Sequence, residues 1–210
     1  MVEKLQEVDP FFREQTPLMI VLSGTSGAGK DSVLRRMRDL GLPFHFVVTA
    51  TDRASRTEEV HGRDYWFYST QEFERMIDEG ELLEHAVVYG QYKGVPKEQV
   101  RRALDSGLDV VMRLDIQGVR RVKSLVPQAI SIFVTCESEE EMVARLRERH
   151  TESETTIQRR LETAREELAH IAEFDYVVVN RRGALDVAVE DVVAIIRAEH
   201  CRSVLRRIDL

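Results

Sequence analysis

The chain of 210 residues predicts an α/β fold, a parallel sheet flanked by helices, and two observations carry that prediction. Short apolar, β-branched runs recur along the chain and alternate with longer amphipathic stretches, the rhythm of a doubly wound sheet. The first run, Leu18-Met-Ile-Val-Leu22, leads into Gly24-Thr-Ser-Gly-Ala-Gly-Lys30-Asp31-Ser32 and then into the helical sequence Val33-Leu-Arg-Arg-Met37. A G-x-x-x-x-G-K spacing between a buried strand and a helix describes a phosphate-gripping loop. Its glycines let successive N–H groups turn inward, and its lysine and helix N-terminus add positive charge. The expected fold is therefore P-loop NTPase-like. Gly24, Thr25, Ser26, Gly27, Ala28, Gly29, Lys30, Asp31 and Ser32 are the candidate ATP-binding residues. One position departs from the pattern: Asp31 stands where a Ser or Thr hydroxyl would hold Mg²⁺.

The remaining elements follow in order. Strands are expected at Leu18–Ser23, Phe44–Thr49, Leu108–Leu114, Ala129–Thr135 and Phe174–Val179, each a β-branched or aromatic run between turn or helix signals. Helices are expected near 30–40, 97–106, 117–125, 138–149, 154–172 and 184–207. The stripe Ile157, Leu161, Ala164, Leu168, Ile171, at spacings of four and three, marks a core-facing helix rather than a site. From Ala50 to Val95 the rhythm breaks into a charged loop, the run Asp64-Tyr-Trp-Phe-Tyr-Ser69, a short helix near Gln71–Glu79, and Leu82–Tyr89. That stretch reads as an inserted lobe. Between helices, Arg145-Leu-Arg-Glu-Arg149-His-Thr-Glu-Ser153 suits an arginine-bearing flap, with Ser153 as an N-cap.

Composition narrows the function classes. Hydrophobic residues make up 43% and charged residues 32%, and no apolar run is long enough to span a bilayer. No membrane association is expected. The acidic start Met1-Val-Glu-Lys-Leu-Gln-Glu lacks an apolar signal core, so a cytoplasmic location is expected. Cys136 and Cys201 are two thiols without a disulfide or zinc pattern. A formal charge of −7 argues against a general nucleic-acid partner. Any anion must then be held by local clusters. Arg53 and Arg56, three apart in a loop after a strand, could converge on one phosphate. Spacing alone leaves a solvated charge pair as the alternative.

The text around those arginines, Val48-Thr-Ala-Thr-Asp-Arg53-Ala-Ser-Arg56-Thr-Glu-Glu-Val-His-Gly-Arg-Asp64-Tyr65-Trp-Phe67, resembles the acceptor loop of guanylate kinases. Further blocks resemble that family in order: Glu81-Leu-Leu-Glu84, Tyr89-Gly90-Gln-Tyr92-Lys-Gly94, Leu114-Asp115-Ile-Gln117-Gly118, Arg145 to Ser153, and Ala164-Arg165-Glu-Glu167 through Asn180. Together they cover roughly residues 17–197. The resemblance implies transfer of the γ-phosphoryl of ATP to GMP or dGMP with Mg²⁺. It implies a core of residues 17–48, 96–144 and 161–210, a GMP-binding lobe at 49–95, a lid at 145–160, and an N-terminal extension at 1–16. It assigns Arg53, Arg56 and Tyr65 to the acceptor phosphate, Thr49 and Glu84 to the base, and Asp115 to Mg²⁺ and the acceptor. Arg145, Arg149 and Arg160 match arginines that close over the ATP phosphates, and with Lys30 and Arg53 they form the expected catalytic set. Asn180 falls where the family holds adenine, a turn role being the alternative, while Arg147 and Arg159 have no match. A homodimer is left open.

Chemistry supports Glu84 independently. A carboxylate accepts from guanine N1–H and N2–H₂ together, whereas adenine N1 would repel it, and a site built for such donors rejects the wrong base strongly. No general base is needed, because an acceptor phosphate oxygen is already anionic. Three departures from the family stand out: Asp31, expected to hold Mg²⁺ directly or through water; Val95 in place of a hydroxyl near guanine; and Lys93 in place of a tyrosine at the acceptor phosphate. Two alternatives remain at this stage. Ribose 1,5-bisphosphate phosphokinases share the Gly-Lys-Asp-Ser loop but need no base-reading carboxylate. A non-catalytic guanylate-kinase-like interaction module would not need Lys30 and the arginines.

Overall fold

The computed structural model describes residues 16–88, 90–148 and 154–210. Most of the expected extension, together with Arg149 and Ser153, lies outside the described residues. The first unit is β1 (Met19–Gly24), the phosphate-loop segment, and α1 (Lys30–Asp39). It is followed by β2 (Phe44–Phe46), β3 (Ala50–Thr51), β4 (Trp66–Phe67), α2 (Thr70–Asp78), β5 (Leu82–Val88) and β6 (Gln91–Pro96). The second half runs α3 (Lys97–Asp105), β7 (Asp109–Arg113), α4 (Ile116–Leu125), β8 (Ile130–Thr135), α5 (Glu139–Glu148), α6 (Glu154–Ala169), β9 (Tyr176–Val179) and α7 (Leu185–His200).

Five strands form a parallel sheet in the order β2-β7-β1-β8-β9. Central β1 is buried along its whole length, as a strand covered on both faces must be. Its side chains alternate between two cores. Leu18, Ile20 and Leu22 face one with Val33, Met37, Ile132, Leu161 and Val192, whereas Met19 and Val21 face the other with Val100, Val110, Met112, Val119 and Val122. The carboxyl ends of β1 and β7 lie side by side, with Leu22 in register with Arg113. That edge of a parallel sheet is where such folds bind ligands.

The expected inserted lobe contains its own sheet, β4-β3-β6-β5, around a small core of Ala50, Phe73, Met76 and Leu82. Ser69 caps α2 through a reciprocal box with Glu72, the side-chain oxygen accepting from Glu72 N–H at 3.2 Å. Phe73 is fully buried and stacks on Tyr92 at 5.2 Å. The β5–β6 register shifts between Leu82 and Glu84, a bulge that re-aims the following side chain.

Several boundaries differ from the sequence expectation. The second strand ends at Phe46 rather than Thr49, because the Gln99 side chain pairs with the Val48 backbone in a strand's place, accepting at 2.9 Å and donating at 2.7 Å. The expected helix 154–172 ends at Ala169 and gives way to a 3-10 turn at Ile171–Glu173, so Leu168 and Ile171 are only partly buried. The last helix stops at His200, not 207; the tail then folds back, and Arg206 pairs with buried Glu199 while Ile208 and Leu210 join the second core. Strand β6 was not anticipated. Phe73→Ala is expected to cost about 3–5 kcal/mol, read from chemical denaturation; a loss below about 1 kcal/mol would mean the small core does not unfold with the rest.

Candidate active site

The loop between β1 and α1 is shaped by close approaches that only glycine permits. A side chain at Gly24, φ +135°, would meet the Val134 carbonyl oxygen at 1.9 Å, and one at Gly29, φ +83°, would meet Asn180 Nδ2 at 2.5 Å. Asn180 is buried and donates to the Ala28 carbonyl at 2.8 Å. Arg145 donates to the same carbonyl at 3.3 Å and to the Asn180 carbonyl at 2.7 Å, and it pairs with Glu141. The structure thus places Asn180 and Arg145 as braces of the loop. Across the loop, Ser26 N–H donates to Glu167 at 3.1 Å, and Arg160 reaches Ser26 Oγ at 3.4 Å. Thr25 is fully buried, its carbonyl accepting from Lys30 Nζ at 2.8 Å, and Gly27 lies over Met142 and Leu146. Ser32 is exposed on the first turn of α1.

Two cavities open beside this loop. The first, about 260 Å³, is lined by Gly24, Lys30, Thr49, Glu84, Lys93, Arg113, Asp115 and Glu167 among others. The second, about 430 Å³, is lined by Asp31, Arg35, Arg38, Thr49, Arg63, Tyr65, Val95 and Arg113 among others. The fold therefore brings Lys30, Thr49, Glu84, Lys93 and Asp115 to one cavity, and Tyr65 and Asp31 to its neighbour. Arg53 and Arg56 line neither. Arg53 forms a two-pronged pair with Glu59 at 2.5 and 2.7 Å, and that pairing holds the Glu59 carboxyl down at about 2. Its guanidinium lies 4.9 Å from the Tyr65 ring, and Lys93 Nζ lies 5.4 Å from the same ring. Tyr65 is therefore a platform for two cations. Arg56 is exposed, with its N–H donating to Glu59 at 2.8 Å.

The cleft carries both signs of charge. Burial, then the neighbouring Asp115 carboxylate, push the Glu84 carboxyl up to about 7, with Arg121 pulling the other way. Gly118 lies beside that carboxyl, where a Cβ would sit 3.4 Å from Glu84 Oε2 and, more tightly, 3.0 Å from Leu114. Burial pulls the Lys30 ammonium below its ordinary value, Glu167 opposing and Arg113 reinforcing. Asp115 caps α4, accepting from Gly118 N–H at 2.7 Å through Oδ1.

A divalent ion travelling with a triphosphate needs only one or two protein carboxylates. Asp115, in the Lys30 cavity, fits such an ion. Asp31, expected on the metal side as well, lines the neighbouring cavity, with its carboxylate ion-paired to the Arg113 guanidinium. Among the described residues no group of three or more metal-ligating side chains occurs. Sequence reading missed Arg113 and Glu167. The available signal for Arg113 was a charge directly after the apolar run Val110–Met112; Glu167 reaches the loop only through folding, 141 residues from Ser26.

Between the unfolded glutamate near 4.5 and the folded value about 7, the folded state binds more protons. Stability contributed by neutral Glu84 is full below about 4.5 and lost as pH rises through about 7. Wild type should lose stability between about pH 5 and pH 8 relative to Glu84→Gln, measured by denaturation at each pH. Parallel curves would contradict a raised Glu84.

The comparisons with known proteins agree with this geometry. A family model described as Guanylate kinase matches residues 16–199. The chain is 45% identical over 203 residues to guanylate kinase 2, chloroplastic/mitochondrial, of Oryza sativa subsp. japonica, covering 96% of this chain and 71% of that one. It is 44% identical to a guanylate kinase of Caldanaerobacter subterraneus subsp. tengcongensis, covering 88% and 89%. The crystal structure of guanylate kinase from Anaplasma phagocytophilum superposes with a TM-score of 0.69 at 28% identity, over 91% of this chain and 90% of that one. With a nucleotide loop, a buried carboxylate facing it, and a family match across nearly all of the described residues, this chain belongs to the guanylate kinase family.

Proposed function

We infer that the chain works as its family does, as an ATP:GMP phosphotransferase, with the two substrates meeting at the two cavities beside the phosphate loop. A GMP phosphate oxygen attacks the γ-phosphorus of ATP, the bond to the β,γ-bridging oxygen breaks, and its electron pair leaves on ADP; no base is required. The observation that carries this reading is Glu84, a buried carboxyl aimed into the cavity that also holds Lys30. Ionised, it accepts two guanine N–H groups, and those donors stabilise the charge that burial opposes. Thr49 sits at the junction of both cavities and assists at the base. Tyr65, Arg53, Arg56 and Lys93 hold the acceptor phosphate, supported by the clustering of Arg53 and Lys93 on the Tyr65 ring. Lys30 and the loop amides hold the ATP phosphates, Arg160 acts from α6, and Arg149 is assigned the same side.

Mg²⁺ is the metal we assign, with Asp115 as its protein-side carboxylate; bound, it would neutralise charge on the triphosphate. dGMP is an acceptor too, because the contacts proposed for selectivity lie on the base rather than the sugar. A cytoplasmic location completes the reading, in keeping with unbridged Cys136 and Cys201, although the rice relative's name places that protein in organelles. No described helix is long and apolar enough to cross a membrane.

Steady-state assays with GMP, dGMP, AMP and ribose 1,5-bisphosphate as acceptors test the assignment. GMP and dGMP should turn over, with AMP lower in kcat/KM by about 10⁴-fold. Glu84→Ala should raise the GMP KM with the ATP KM unchanged. Comparable AMP turnover, or an unaltered GMP KM, would contradict it.

A further inference from the structure

One residue that lines both cavities beside the phosphate loop is one that the sequence did not single out. Arg113 ends β7 in register with Leu22, two residues before the loop begins at Gly24. Among the described residues, only it and Thr49 line both cavities. Its guanidinium is ion-paired with Asp31, on the first turn of the helix that carries Lys30. We propose that Arg113 is a catalytic residue, a fixed guanidinium that contacts the phosphates during transfer, and that Asp31 is the positioning residue holding it there rather than a ligand of the metal. The proposal rests on the active-site reading above.

Four physical considerations support it. First, cations converge on Arg113: Lys30 and Lys93 share the first cavity with it, opposite Glu84, Asp115 and Glu167, and in the second Arg35, Arg38, Arg63 and Arg113 outnumber Asp31 and Asp64. Arg113 depresses both the Lys30 ammonium and the Arg38 guanidinium, although burial is the larger cause in each. An anion between them relieves that repulsion. Second, the Asp31–Arg113 pair is open to solvent, its side chains 61% and 43% exposed. Pairs of that kind contribute about 0–1 kcal/mol to stability, and the contact runs through Arg113 Nη1 to Asp31 Oδ1, so the rest of the guanidinium can take phosphate while Asp31 still holds it. Third, a guanidinium presents five donors in a plane and can span oxygens of two phosphates, which an ammonium cannot. Fourth, a carboxylate beside a triphosphate is repulsive by itself, and pairing with Arg113 converts Asp31 from an obstacle into a guide.

The roles separate in one experiment on the full chain. Arg113→Met, Arg113→Lys, Asp31→Asn, the Asp31→Asn/Arg113→Met double variant and Lys30→Ala are assayed for kcat and for both KM values across a Mg²⁺ titration, with melting temperatures alongside. Arg113→Met should lower kcat by about 10²-fold or more, the scale of losing one charge-stabilising donor. Arg113→Lys should recover part of that loss. Asp31→Asn should lower kcat by less, about 3–10-fold, and add almost nothing in the Arg113→Met background, the signature of two residues acting as one unit. Its half-saturating Mg²⁺ should stay at the wild-type value. A roughly tenfold rise in that Mg²⁺ requirement, with the Arg113→Met kcat near wild type, would make Asp31 a metal ligand and overturn the proposal. Equal losses in Arg113→Met and Arg113→Lys that track melting temperature would make Arg113 structural. Inactive Lys30→Ala beside active Arg113→Met removes Arg113 alone, whereas active Lys30→Ala would bring down the site reading as well.

Discussion

The carbonyl oxygen of Ala28 is the point on which the active site turns. It accepts from Asn180, at the end of β9, and from Arg145, on α5, so both reach the loop from more than a hundred residues away. A trans peptide sets its C=O and the following N–H on opposite sides. Drawing the Ala28 oxygen inward therefore turns the Gly29 N–H outward, toward the helix start. Gly29 can meet that demand because it has no Cβ to strike Asn180 and tolerates φ of +83°. A loop held in this way has its phosphate-binding shape before any ligand arrives, and preorganised donors are what phosphoryl transfer uses.

Around that loop the charges are mixed, and the mixture has a physical logic. A cleft of cations alone would repel itself; Glu167 at the Ser26 amide, Asp31 at Arg113 and Glu59 at Arg53 each hold a cation or donor in place. Glu84 differs because it is pushed toward neutrality in the protein alone. Arg121 alone supports its charge against burial and Asp115, so in the proposed reading guanine donors add the missing support and base selectivity becomes an electrostatic property of the site.

Much of this was legible in the sequence because it is local. The strand, glycine loop and helix of residues 18–37, the amphipathic stripe from Ile157, and Ser69 three residues before Glu72 all depend on near neighbours. The family blocks located Glu84, Thr49, Tyr65 and Asp115, although not which of them share a cavity. What was hidden is non-local. Strand β6 contains Gly94 and Pro96, poor strand formers, and exists because β5 and β3 pair with it. The shortening of β2 depends on a glutamine 51 residues away. Arg113 looks like an ordinary charge until parallel pairing with β1 sets it beside the loop, where it meets the Asp31 carboxylate.

The most direct measurement of the central claim is the affinity of ATP for Asn180→Ala, by titration calorimetry against wild type. The variant removes one donor from the Ala28 carbonyl and keeps the Arg145 donor to it. The account predicts a weakening of about tenfold or more, equal to about 1.4 kcal/mol, with the GMP affinity unchanged. An ATP affinity within about twofold of wild type would contradict the claim that this brace sets the shape of the loop.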